Sequence, residues 1–180
     1  MKTGNALLFA LYFALSTTSS VAETMSQIVA PNQLVIQVKG IVCSFCAYGT
    51  EKNLAKLDFL DTGYYGNGVL IDIKTHRVTL ALNPDQLVDY YSVSEAILKG
   101  GYDPKAYFTM LSGVIKKTLE GYQLISRDNG QIFALPSTFH AAPLMDQTVV
   151  LQTEFTADQA INGIDGEIFQ LTIVELESLP

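Results

Sequence analysis

Apolar and polar positions alternate from Asn32 to Lys39, with Leu34, Ile36 and Val38 on one face, and that pattern predicts a β-strand buried on one side. The period then changes. From Cys46 to Leu57 the positions Ala47, Thr50, Leu54 and Leu57 recur at helical spacing, so a helix is expected there with Ser44 as its cap. Asp58 to Gly68 is polar and rich in glycine, a long connection. Val69 to Ile73 and Arg77 to Leu82 read as two strands around the short turn Lys74-Thr75-His76, a hairpin. After Asn83-Pro84-Asp85, the segment Gln86 to Lys99 is helical in character, loosened near Tyr90-Tyr91-Ser92, and Gly100-Gly101 stops it. Asp103 to Phe108 is a candidate closing strand, which Pro104 confines to an edge.

The order strand, helix, strand, strand, helix, strand predicts an α+β unit of the split βαβ, or ferredoxin-like, kind. Right-handed crossovers in that topology bring the loop after the first strand, the hairpin turn and the loop after the second helix to one end of the sheet. Cys43, Cys46, His76 and Tyr102 are therefore expected near one another.

From Gly113 the character changes to short alternating runs: Val114 to Leu119, Tyr122 to Ser126, Gln131 to Leu135, Thr148 to Phe155 and Glu167 to Val174. Asp128-Asn129-Gly130 is a hairpin signal, read as a type I′ turn. Five short strands in this span, with Gly121-Tyr122-Gln123-Leu124, Gln131-Ile132-Phe133-Ala134-Leu135 and Gly166-Glu167-Ile168 among them, resemble a small all-β barrel of the OB type. The expected organisation is a signal peptide over 1–22, the α+β domain over 31–110 and the OB-like barrel over 113–180.

The N-terminal reading rests on Lys2, the ten-residue apolar run Ala6 to Leu15 and the small-residue end Ser20-Val21-Ala22. An apolar core of that length is too short to span a bilayer and fits a cleaved secretory signal, which implies a periplasmic or secreted protein. Cleavage leaves a chain of 158 residues with ten basic and eighteen acidic side chains, a net charge of −8 and no stable membrane insertion. Such a surface repels phosphate backbones. Between Gly113 and Pro180 three basic residues, Lys116, Lys117 and Arg127, face nine acidic ones, so the barrel is not read as a nucleic-acid binder, and its Tyr122, Phe133, Phe139, Phe155 and Phe169 are assigned to the core. No Ser-His-Asp order, paired carboxylates with a pocket, phosphate-cradling glycine loop or EF-hand spacing is present, and the chain is not expected to be an enzyme.

The chemistry concentrates in Gly40-Ile41-Val42-Cys43-Ser44-Phe45-Cys46, which holds both cysteines where an apolar strand gives way to a helix. A helix start presents unpaired N–H groups and the positive end of the dipole, which favours thiolate. Thiolates select Cu(I) and similar soft ions, whereas a closed zinc site wants four protein ligands. The chain has two cysteines and two histidines, His76 and His140, both distant in sequence from the pair. Export to an oxidising compartment also makes a disulfide a natural state of two such thiols. Around the pair, His76 in its polar turn is read as solvated, Tyr102 as a packing residue, His140 as an exposed loop residue, and Tyr64, Tyr65, Tyr90 and Tyr91 as amphipathic cover. Phe45 has two readings, a shield for bound metal or a cover over the loop.

The heptapeptide resembles the G-M-x-C-x-x-C motif of heavy-metal-associated domains, Glu51 to Leu57 resembles their first helix, and Gly100-Gly101-Tyr102 their closing G-Y. The likeness spans about Gln33 to Phe108. It implies a soft-metal carrier for Cu(I) or Hg(II) with Cys43 and Cys46 as ligands and a membrane metal transporter as donor or acceptor. Ile41 stands where the family usually has Met, and the stretches Asp61 to Gly68 and Leu87 to Tyr91 are longer than the family pattern. Two other functions use the same cysteines: a thiol-disulfide oxidoreductase, against which stand Val42 before the first Cys and the absence of Trp, and an exported adaptor with a structural disulfide.

Overall fold

The computed structural model describes residues 29–162 and 169–178; the N-terminal apolar run and the start of the Glu167 segment lie outside the described residues. β1 (Gln33–Lys39) forms as the alternation requires, with Leu34, Ile36 and Val38 turned into the core. α1 (Ser44–Leu54) begins two residues earlier than expected, so Ser44 is the first helical residue and not the cap. The Cys43 carbonyl accepts from the Ala47 amide at 3.0 Å and opens the helical ladder. β2 (Val69–Asp72) and β3 (Arg77–Ala81) make the expected hairpin.

α2 (Tyr90–Lys99) starts four residues later than the expected Gln86, because Asp89 caps it by accepting from the Ser92 amide at 3.0 Å. It ends at Gly100, followed by Gly101 at φ +83°, a conformation glycine adopts without penalty. A side chain at Gly100 would run into Thr50, so the absence of a Cβ there lets α2 close on α1.

β4 (Asp103–Lys117) corrects the expectation of a short edge strand. Its first part pairs antiparallel with β1, giving the order β2-β3-β1-β4 with two helical connections, consistent with the split βαβ arrangement. Pro104 is tolerated inside the sheet because it lies at the strand's start, opposite Val38, where the β1–β4 register shifts at a bulge. The change of character at Gly113 falls inside this strand. β4 continues to pair with β5 (Tyr122–Ser126), which pairs with β6 (Ile132–Ala134). On its opposite edge β4 pairs with β7 (Thr148–Thr156), and β7 with β9 (Thr172–Ser178). α3 (Ala157–Asn162) follows β7, and the two-residue β8 (Phe169–Gln170) pairs parallel with β6.

The result is an α+β chain with one nine-stranded, almost wholly antiparallel sheet. Among the described residues no strand pair closes the C-terminal strands into the OB-like barrel. The end of β4, the barrel's would-be first strand, pairs with β5 on one edge and β7 on the other, and β6 continues only to the two-residue β8. The β5–β6 turn is not type I′ either. Gly130 alone is left-handed, at φ +73°, whereas that turn needs two such residues.

One hydrophobic cluster runs from Ile41 and Leu54 through Tyr90 and Tyr107 to Phe133, Phe155 and Leu171. Tyr90 meets the Phe155 ring edge-on at 5.0 Å between centroids, and Tyr107 stacks on Phe155 at 5.1 Å. The buried Tyr107 hydroxyl is 2.6 Å from the Ser94 hydroxyl. The segment Leu87 to Tyr91, an insertion by the family pattern, thus joins the halves: Gln131 holds Val88 through both its backbone N–H and C=O, at 3.2 and 2.9 Å. Phe133 and Phe155 are core, as expected; Tyr90, read as amphipathic cover, is core as well, because its ring packs between α2 and β7, whereas Tyr64 and Tyr65 are exposed. No helix among the described residues is long and apolar enough to cross a membrane.

Candidate metal-binding site

The loop Gly40 to Cys43 leaves β1 through Gly40 at φ +102°, a backbone state that a side chain would strain. A Cβ at Gly40 would also press on the Tyr102 ring at 3.3 Å. Ile41 then turns inward and is fully buried, so an apolar residue anchors the loop from beneath where the family pattern has Met. Val42 points outward, 75 % exposed. Cys43 is half-buried at the threshold of α1, where the positive end of the helix dipole lies. It is disulfide-bonded; the chain's other cysteine, Cys46, stands in the first turn of α1.

Two elements flank this loop, as the topology predicts. Tyr102, half-buried after α2, lies against Gly40 and acts as a packing residue. His76 lies in the β2–β3 turn and reaches across to the loop: its Nδ1 is 2.8 Å from the Ile41 carbonyl oxygen. The carbonyl only accepts, so Nδ1 carries the hydrogen. His76 is exposed, in keeping with the sequence reading, and in addition its ring makes this bond to the loop. Its own carbonyl accepts from the Val38 amide at 2.9 Å, and Gln37 donates to the Thr75 carbonyl at 3.2 Å. No periodicity reports such a bond; the one available signal was a histidine in a turn that topology brings to the motif.

The turn is itself tied. The Asp72 carboxylate accepts from the Lys74 amide at 2.9 Å, and its pKa is lowered, first by the Thr75 side chain and then by that amide. Charges of both signs stand at this end: exposed Lys39 lies opposite Asp103 in the β1–β4 register, and Arg77 opposite Asp72 in the β2–β3 register.

On the outer side Phe45 is 88 % exposed, so it does not cover the loop. Tyr48 is exposed too, and the Lys52 ammonium sits 5.0 Å from its ring centroid. A side-chain hydrogen bond with Tyr48 is the leading cause of a raised Lys52 pKa. His140 is exposed in the loop between β6 and β7. Among the described residues no three His, Cys, Asp or Glu side chains converge as a metal cluster.

No family model and no curated protein matches the chain. Among solved structures it is similar to the N-terminal domain of PacS from Synechocystis PCC6803, at 16 % identity over 41 % of this chain and 92 % of that one. The TM-score is 0.31, a value at which the likeness carries no argument for fold or function.

Proposed function

We propose that the chain is an exported, non-enzymatic protein that holds a soft metal ion, Cu(I) or Hg(II), between the reduced thiolates of Cys43 and Cys46 and transfers or sequesters it. The observation that carries this reading is the setting of Cys43: half-buried, at the first turn of α1, on a loop pinned from beneath by Ile41 and open to solvent at Val42 and Phe45. A sulfur at a helix start is biased toward the ionised form that soft ions bind. The disulfide is the oxidised resting form in this reading, and two electrons must open it before a metal enters. A membrane metal transporter is the natural donor or acceptor for such a carrier, and the acidic C-terminal half, with three cations against nine carboxylates from Gly113 onward, serves protein contact and not nucleic acid.

Reduction under anaerobic conditions followed by Cu(I) titration tests this directly. Thiolate-to-metal absorption saturating at one equivalent is expected, and Cys43→Ser or Cys46→Ser should abolish Cu(I) binding, since soft thiolates are what select this ion. A reduced protein that gives no such absorption, while its disulfide re-forms and exchanges, leaves the pair as a redox or structural bond.

A further inference from the structure

One bond joins the β2–β3 turn to the cysteine loop, and several others hold the turn itself in place beside β1. Its Asp72 carboxylate fixes the turn's amides, and Gln37 and Val38 of β1 both donate to turn carbonyls, at Thr75 and His76. His76 sits at φ +54°, a left-handed state uncommon for a residue with a side chain, though histidine is among the residues that tolerate it. In that state its ring meets the Ile41 carbonyl at 2.8 Å, and the peptide bond that carries this oxygen leads directly into Val42 and Cys43. The Ile41 side chain is fully buried, so the loop is held at two points, apolar below and polar from the side. The exposed residues Val42 and Phe45 make no comparable anchor.

We propose that His76 is a positioning residue for the Cys43 loop: its Nδ1–H holds the Ile41 carbonyl and thereby fixes the direction from which the Cys43 sulfur approaches its partner, whether the second sulfur or a metal ion. The inference deepens the metal-carrier reading but does not depend on it alone, because loop order governs disulfide closure and two-thiolate capture alike. Groups that orient a binding loop act by removing disorder that binding would otherwise have to suppress; a partner bonded directly to a ligand is worth about ten- to a hundredfold in metal affinity, and a bond two residues from Cys43 is set at the lower end of that range.

Two substitutions separate the ring from the backbone. His76→Gly accepts the left-handed backbone but has no donor. His76→Asn also tolerates that backbone and carries an N–H at the same number of bonds from Cα as Nδ1. Each full-length protein is measured for thermal unfolding, for Cu(I) affinity by chelator competition, and for its thiol-disulfide equilibrium with dithiothreitol, in which the reagent's two thiols become its cyclic disulfide as the Cys43 bond becomes two thiols. His76→Gly should bind Cu(I) about tenfold more weakly and be reduced at roughly threefold lower reagent ratio, with His76→Asn close to the parent in both. Glycine and asparagine variants indistinguishable from the parent in both assays would overturn the inference, as would a loss confined to thermal stability. If the parent binds no Cu(I) yet the reagent equilibrium still shifts in the glycine variant alone, the carrier reading fails and the positioning role stands.

Discussion

The cysteine loop and the junction between α2 and β7 use the same kinds of residue to opposite ends. At the junction Tyr90, Tyr107 and Phe155 are 1 %, 0 % and 1 % exposed and touch ring to ring. At the loop Val42, Phe45 and Tyr48 are 75 %, 88 % and 55 % exposed. Burial of apolar surface is the main favourable term in folding, so the junction rings hold the two halves of the sheet together and the loop's apolar groups do almost none of that. The loop is held instead by Ile41, by the Tyr102–Gly40 contact and by the His76 bond. An apolar residue is therefore informative here by its place in the fold and not by its type.

The largest expected effect follows from Phe155. Truncation to alanine removes the ring on which Tyr107 stacks and which Tyr90 meets edge-on, and leaves a cavity where the N-terminal sheet, α2 and the β7 strand converge. Phe155→Ala should cost about 3–5 kcal/mol, a large share of the roughly 5–15 kcal/mol available to a domain. Urea unfolding followed by circular dichroism measures it. A loss below about 1 kcal/mol would break the comparison, since the junction would then be no more structural than the loop.

That junction is also where sequence reasoning fell short. Strand β5 is Tyr122–Ser126, as its alternation indicated, and the β2–β3 hairpin and the gathering of His76 and Tyr102 at the cysteine loop followed from element order. The length of β4 did not. Gly113 looked like a break, yet a Cβ there would run into the Ile125 carbonyl, so glycine permits β4 and β5 to approach closely. Close approach and chain break leave the same residue in a sequence. Leu87 to Tyr91 was visible as an excess over the family pattern, but its purpose depends on Gln131, 43 residues beyond Val88, and no local pattern reports such a partner. The motif at Cys43 was legible because its spacing is local. Its disulfide was one of two states that the spacing allows.

A smaller effect tests the junction by pH. Burial raises the Tyr107 phenol to about 12, partly offset by its hydrogen bond with Ser94, and burial raises Tyr90 as well. Unfolded tyrosine ionises near pH 10. The neutral phenol is favoured in the folded state, so its contribution is fully present below about pH 10 and is lost as pH rises from there through about 12, at a cost on the order of 2 kcal/mol. Unfolding free energies measured across that window should fall, and Tyr107→Phe should flatten part of the fall. A parent protein whose stability is level through the window contradicts the burial of these rings.

The smallest expected effect sharpens the other side. Phe45→Ser removes an apolar ring already 88 % exposed, from a helix position where phenylalanine and serine have similar propensities. Little surface leaves water on folding at such a site, so little stabilisation is forfeited, and the change in unfolding free energy should stay within about 0.5 kcal/mol. Urea unfolding of the oxidised protein, beside Phe155→Ala under the same conditions, gives the ratio that matters. A cost above about 1.5 kcal/mol for Phe45→Ser would mean that the loop's apolar residues are packed in solution. The open approach to Cys43, on which metal entry depends, would then be lost with them.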